Sequence, residues 1–61
     1  MLSMRRSVQT DYEVLSDKIV AAMETGNTGE ARRIVAEHLD TFPGEIKRIR
    51  AEVLTDYGIR I

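Results

Sequence analysis

The fold is decided by residues 31–57, which read ARRIVAEHLDTFPGEIKRIRAEVLTDY. On both sides of Pro43, apolar residues recur every three or four positions, a spacing typical of two amphipathic helices. The first stripe comprises Ala31, Ile34, Val35, Leu39 and Phe42, with His38 among them, and the second comprises Ile46, Ile49, Val53, Leu54 and Tyr57. Proline suits the first turn of a helix, where its missing N–H costs nothing. We therefore predict a hairpin of two helices, at about 28–41 and about 43–57.

A third helix is predicted upstream, over about 3–25, with a turn at Gly26–Gly29 and a stop for the last helix at Gly58. Its apolar stripe comprises Met4, Val8, Tyr12, Leu15, Ile19, Ala22 and Met23. Asp11 is a second possible start, which would leave residues 1–10 as an arm, but the unbroken stripe favours the longer helix. The predicted fold is one all-α domain over residues 1–61, a three-helix bundle that self-associates.

The predicted first helix is longer than its neighbours. A helix of ~22 residues measures ~33 Å, whereas partners of ~14 residues reach only ~21 Å. About two turns would then remain uncovered, leaving Met4 and Val8 as an exposed apolar stripe beside Arg5. Such stripes mark association surfaces. We expect this end to contact another protein or a second copy of the chain, as in a homodimer.

Composition excludes several classes of function. The chain has 61 residues, no cysteine and one histidine, so neither a disulfide nor a cysteine or histidine metal cluster is available, and no cofactor is expected. Charged residues make up 31% of the chain but nearly cancel, with a net charge of −1, which argues against nucleic acid as the main partner. The longest apolar run, residues 19–23, is far too short to cross a membrane. A cytoplasmic protein with no membrane partner is expected.

No arrangement of side chains in the sequence indicates an enzyme. The serines have no credible histidine–carboxylate pairing, and the Gly26–Gly29 stretch lacks the lysine of a phosphate-binding loop. His38 lies within an apolar stripe, where it could act as a pH-sensitive switch or, more simply, pack as a neutral ring held by one nitrogen. We predict a protein without catalytic residues.

Arg50 is unusual because it falls inside the apolar arc of the last helix. A guanidinium there must extend to solvent, pair with a carboxylate or face a partner. Lys47 and Arg48 bound one flank of this helix, while Glu45, Glu52 and Asp56 gather on the other. Such a division can steer the helix toward a complementary partner, although charged flanks often only solvate a surface.

The residues around Pro43 resemble the recognition hairpin of LuxR-type helix-turn-helix domains over about 26 residues. The similarity rests on Val35–Leu39, Pro43, Ile46, Lys47, Arg50, Val53, Leu54 and Gly58–Arg60. In that family the residues after the proline enter the DNA major groove. The resemblance therefore implies that Lys47, Arg48 and Arg50 face DNA.

Two other families are resembled in part. Gly26, Ala31 and Pro43 have the spacing of the second helix of a tetratricopeptide repeat. Gly26–Ala31 with Ile34, Val35 and Leu39 is similar to the second helix of ribbon-helix-helix antitoxins of the ParD kind, which would require a strand near residues 5–10. We therefore expect a small non-enzymatic helical interaction module, such as an adaptor, inhibitor or antitoxin-like regulator. The alternative is a small DNA-binding transcriptional regulator.

Overall fold

The computed structural model describes residues 10–61, which form three α-helices and no strand. The helices are α1 (Asp11–Glu24), α2 (Thr28–His38) and α3 (Pro43–Tyr57). Helix α1 packs against both α2 and α3. The prediction of an all-α three-helix bundle is therefore confirmed.

Helix α1 begins later than predicted. Thr10 has an extended backbone (φ −74°, ψ 163°), so a helix running unbroken over 3–25 is wrong. The Thr10 hydroxyl accepts a hydrogen bond from the Glu13 N–H at 3.2 Å, and the Glu13 carboxylate accepts one from the Thr10 N–H at 3.0 Å. This reciprocal capping box satisfies backbone donors that the first turn leaves unpaired, and it sets the helix start at Asp11.

The later start also removes the length difference from which an overhanging first helix was predicted. With 14 residues, α1 is no longer than α3, which has 15. The predicted interaction residues Met4, Arg5 and Val8 lie outside the described residues, as does most of the strand that a ribbon-helix-helix fold would need. Their contribution to association stays a prediction.

The joints between helices follow local sequence chemistry. Gly26 adopts a positive φ of 79°, and the Asn27 side chain caps α2 by accepting a hydrogen bond from the Glu30 N–H at 3.1 Å. Helix α2 ends at His38 rather than near residue 41, and residues 39–42 lead into α3. Pro43 occupies the first turn of α3, whose bounds match the prediction.

The core lies where α1 meets the other two helices, and no polar side chain is buried within residues 10–61. Its buried members are Leu15, Ile19, Ala22, Met23, Ala31, Ile34, Val35, Ile46, Ile49 and Val53. Leu39 and Leu54, both predicted to belong to the stripes, are each 41% exposed. Leu39 follows the last residue of α2, and Leu54 lies about 100° around the helix from Val53, beyond the buried side of α3.

The segment after α3 turns back over the bundle. Gly58 has a φ of 68° and its N–H donates to the Leu54 carbonyl at 2.9 Å, a left-handed helix end that glycine adopts without strain. Arg32 on α2 then donates to the Arg60 carbonyl at 3.3 Å, and Ile61 packs against the core. As a result, Arg60 lies alongside α3.

Candidate interaction surface on the third helix

Helix α3 carries charged side chains on both sides of its buried stripe, and the two sides have different neighbours. We call the side formed by Arg48 and Glu52 the paired flank, because both residues contact Tyr12 of α1. The other side is the open flank, formed by Lys47, Arg50, Ala51 and Leu54 together with Arg60 from the following segment.

On the paired flank, the Tyr12 hydroxyl donates a hydrogen bond to the Glu52 carboxylate. The Arg48 guanidinium carbon lies 4.3 Å from the centre of the Tyr12 ring, within the range of a cation–π contact. The pKa of Tyr12 is raised, first by this hydrogen bond and then by desolvation and the Glu52 charge, while the Arg48 charge opposes the rise. Both charged side chains are therefore engaged with α1.

The open flank borders a groove of about 350 Å³. Three of its five residues are cationic, and Leu54 lies among them with 41% of its surface exposed. Within residues 10–61, neither Lys47, Arg50 nor Arg60 forms an ion pair with a carboxylate. This surface therefore combines positive charge and accessible apolar area without a partner in the described part of the chain.

The structure separates the three residues predicted to face DNA. Lys47 and Arg50 line the same groove, whereas Arg48 lies on the paired flank. Arg50 is exposed, and it forms no ion pair with a described carboxylate. Of its three predicted possibilities, extension to solvent and contact with a partner remain.

The position of Arg60 and the exposure of Leu54 at this surface were not predicted from the sequence. The left-handed Gly58 was a readable sign that the chain turns back, but its position alone does not say which later side chain reaches α3. That placement accompanies the Arg32 hydrogen bond to the Arg60 carbonyl and the packing of Ile61 on the core, which join residues far apart in the sequence.

A second groove, of about 520 Å³, lies between α1 and α2, and its charged lining residues are Lys18, Glu30, Arg33 and Glu37. Arg33 bridges Glu30 at 2.6 Å and Glu37 at 2.5 Å, and its hydrogen bond to Glu30 lowers the pKa of that carboxyl. Nearby, His38 Nδ1 lies 2.8 Å from the Ile34 carbonyl, which can only accept, so Nδ1 donates. Arg33 and the two glutamates of this groove are therefore engaged with one another, whereas Lys18 forms no ion pair within residues 10–61.

His38 packs by its ring and is held by one nitrogen, and its role as a pH-sensitive switch stays a prediction. Its ring is half-buried and lies 6.2 Å from the Phe42 ring, centre to centre, while one nitrogen is held by the Ile34 carbonyl. Within residues 10–61, no three histidine, aspartate or glutamate side chains come together as metal ligands.

Among the same residues, no helix combines the length and apolar character needed to cross a bilayer. No protein family, curated protein or solved structure matches this chain, and the interpretation of the open flank therefore rests on its own geometry.

Proposed function

We propose that this chain is a small non-enzymatic interaction module, an adaptor, inhibitor or antitoxin-like regulator, that binds a protein partner through the open flank of α3. The observation that carries the proposal is the exposed Leu54 set among three cations that have no carboxylate partner in residues 10–61. Arginine is enriched among the few residues that supply most of the energy of protein association.

The free energy of folding gives no reason for this arrangement. Lys47 and Arg50 are three residues apart on one helix, a spacing at which like charges destabilise the helix by about 0.2–0.5 kcal/mol. An exposed leucine contributes little to the core. A single exposed leucine is ordinary on any surface, but its combination with unpaired arginines favours a binding role.

The test is site-specific photocrosslinking in the cells that produce the protein. A photoreactive residue in place of Ala51, which is exposed on the open flank, should crosslink to a distinct partner protein. Combining that residue with Arg50→Glu and Leu54→Asp should abolish the crosslink. The matched control is Lys18→Glu, which reverses the same kind of charge at an exposed position in the other groove and should leave the crosslink intact.

A crosslink that survives the Arg50 and Leu54 substitutions, or the absence of any protein crosslinked through position 51, would overturn the proposal. Because the Arg50 and Leu54 side chains are exposed, their substitution should leave the helical fold intact. Circular dichroism of each variant checks this. Loss of the crosslink then reports on contact rather than on unfolding.

A DNA-binding regulator is the second candidate, favoured by one specific observation. Only residues 39–42 separate α2 from α3, the turn length of helix-turn-helix domains, and Lys47 and Arg50 are exposed in the first half of α3. Such a protein should retard duplex DNA in a gel, with an affinity that collapses as salt rises from ~50 to ~200 mM. No retardation at the lower salt concentration would remove this candidate.

Self-association through Met4, Arg5 and Val8 is a separate part of the proposal. Sedimentation of the wild-type chain beside a Met4→Asp, Val8→Asp variant tests it directly. A dimer that the substitutions dissociate would support this surface, and two monomers would eliminate it.

A further inference from the structure

The charge of the open flank restricts what it can bind. Lys47, Arg50 and Arg60 line one groove and have no carboxylate partner within residues 10–61. An occupant with negative charge at its rim would be steered to this groove and held in register by complementary potentials. An occupant with positive charge would be repelled.

The centre of the groove adds an apolar requirement. Leu54 is 41% exposed, and Ala51 beside it is exposed but small, so the floor between the cations is apolar and accessible. Water leaves such a floor most favourably when an apolar side chain replaces it. Phosphate groups make no use of this floor, and Glu45 in the first turn of α3 would repel them from the adjacent helix end.

The dimensions of the surface fit a helix. Lys47 and Leu54 are seven residues apart on α3, which corresponds to about 10.5 Å or two helical turns. A partner helix presents its apolar side chains at i, i+3 or i+4, and i+7 over the same length, with its flanking residues beside them. Residues 10–61 contain no strand whose edge could pair with an extended peptide.

A second copy of this chain does not suit the groove in a symmetric contact. In a two-fold arrangement each copy presents the same patch to the other, so Lys47, Arg50 and Arg60 would meet their own counterparts. Three like charges facing three like charges disfavour this pairing, whereas acidic flanks on a different protein relieve the repulsion.

We infer that the open flank binds an amphipathic helix of another protein, one whose apolar stripe seats on Leu54 and whose acidic flanks lie against Lys47, Arg50 and Arg60. This inference rests on the proposed function and specifies the chemistry of the partner. The cations supply orientation and a fast encounter, and the apolar contact at Leu54 supplies the desolvated centre.

The experiment is an NMR titration of the full ¹⁵N-labelled chain with two synthetic peptides of about 16 residues, long enough to show some helix in water. One peptide has a leucine stripe flanked by glutamates, and the other has every glutamate replaced by lysine. The acidic peptide should shift the amide resonances of Lys47, Arg50, Ala51, Leu54 and Arg60, and the basic peptide should shift none of them.

Substitutions and a change of salt concentration separate the contribution of the charges from that of Leu54. The double substitution Lys47→Glu, Arg50→Glu should weaken binding of the acidic peptide at least about tenfold, whereas Lys18→Glu should leave it unchanged. Raising the salt concentration from ~50 to ~500 mM should also weaken it, because exposed charges are screened. Leu54→Ser keeps the charges and removes the apolar floor, so it too should weaken binding.

Three outcomes would overturn the inference. These are no shifts at the open flank with ~1 mM acidic peptide at low salt, equal shifts with the basic peptide, or shifts of these resonances on concentrating the protein alone, which would indicate a second copy as the occupant. If duplex DNA shifts the same resonances and binds with a lower Kd than the peptide, nucleic acid is favoured as the partner instead. If position 51 crosslinks a protein in cells while neither peptide binds, the proposed function stands and only this partner chemistry is wrong.

Discussion

Each flank of α3 carries an exposed arginine, but the two arginines have different surroundings. The paired flank places Arg48 and Glu52 against Tyr12, while the open flank leaves Lys47 and Arg50 facing solvent around Leu54. Arg48 and Arg50 are only two residues apart on one helix. Their difference shows that a neighbouring helix decides whether a charged side chain serves the fold or is left available for binding.

The buried stripe between the flanks gives the largest expected effect. Ile46 is fully buried, and Ile46→Ala should lower the free energy of unfolding by about 2–5 kcal/mol because it removes apolar contacts and leaves a cavity. Leu54→Ala on the open flank should change it by less than about 0.5 kcal/mol. Urea denaturation measures both. Equal losses would show that Leu54 belongs to the core and would remove the distinction between stripe and open flank.

Gly58, at which the chain turns back toward the open flank, gives the next largest expected effect on stability. Gly58 has a positive φ with open space where a Cβ would lie, so Gly58→Ala should cost about 1–2 kcal/mol through backbone strain alone. Gly44, in the first turn of α3, also has open space and lacks a positive φ. Gly44→Ala should therefore stabilise the protein by about 0.4–1 kcal/mol. The midpoint temperature of thermal unfolding should fall for Gly58→Ala and rise for Gly44→Ala. A shift of both midpoints in the same direction would contradict this explanation.

The paired flank should contribute modestly to stability. Tyr12→Phe removes the hydroxyl that donates to Glu52 while keeping the ring beneath Arg48, and should cost about 0.5–1.5 kcal/mol. Chemical denaturation of the two proteins measures the loss. No loss at low salt would mean that this flank is no more tied to the fold than the open one.

The same hydrogen bond predicts the direction of a pH effect. The pKa of Tyr12 is raised above 10.0 in the folded chain, so the folded state holds the phenolic proton more tightly than the unfolded state does. The resulting stability is fully present below the unfolded pKa and is lost as pH rises through the folded pKa. Ultraviolet titration should show a phenol that ionises late in the wild-type chain, and Glu52→Gln should bring its pKa down.

The smallest expected effect is on the open flank and has the opposite sign. Arg50→Gln removes the repulsion with Lys47 and should raise the free energy of unfolding by about 0.2–0.5 kcal/mol at low salt, a gain that should shrink at high salt. The same substitution should weaken partner binding. A clear loss of stability would show instead that Arg50 has a structural role within the bundle.

Helix number, helix type and most of the core were predictable because helical periodicity is a local property of the sequence. The start of the long first helix was not predicted correctly, because the apolar stripe favoured Met4 over Asp11 and the capping pair Thr10 and Glu13 was not considered. Threonine followed three residues later by glutamate is a capping box, and it was present in the sequence. Apolar spacing can continue across a helix start, whereas a cap defines one.

The two flanks were harder to predict because they depend on contacts between distant residues. Helical spacing already places Arg48 and Arg50 on nearly opposite sides of α3, but it does not show that Arg48 meets Tyr12, which is 36 positions earlier. The segment that carries Arg60 likewise contacts a distant residue, since the Arg60 carbonyl accepts a hydrogen bond from Arg32. Periodicity describes the direction of a side chain from its own helix and carries no information about what another helix brings to it.

The wholly apolar interior has a consequence for how this protein tolerates change. Hydrogen bonds require particular atoms at particular angles, but hydrocarbon contacts require mainly matching volume, and no polar side chain is buried in residues 10–61. Exchanges such as Ile49→Leu should therefore be absorbed by small rearrangements among its neighbours. A designer could rebuild the inside of this bundle extensively while every residue that a partner would meet stays the same.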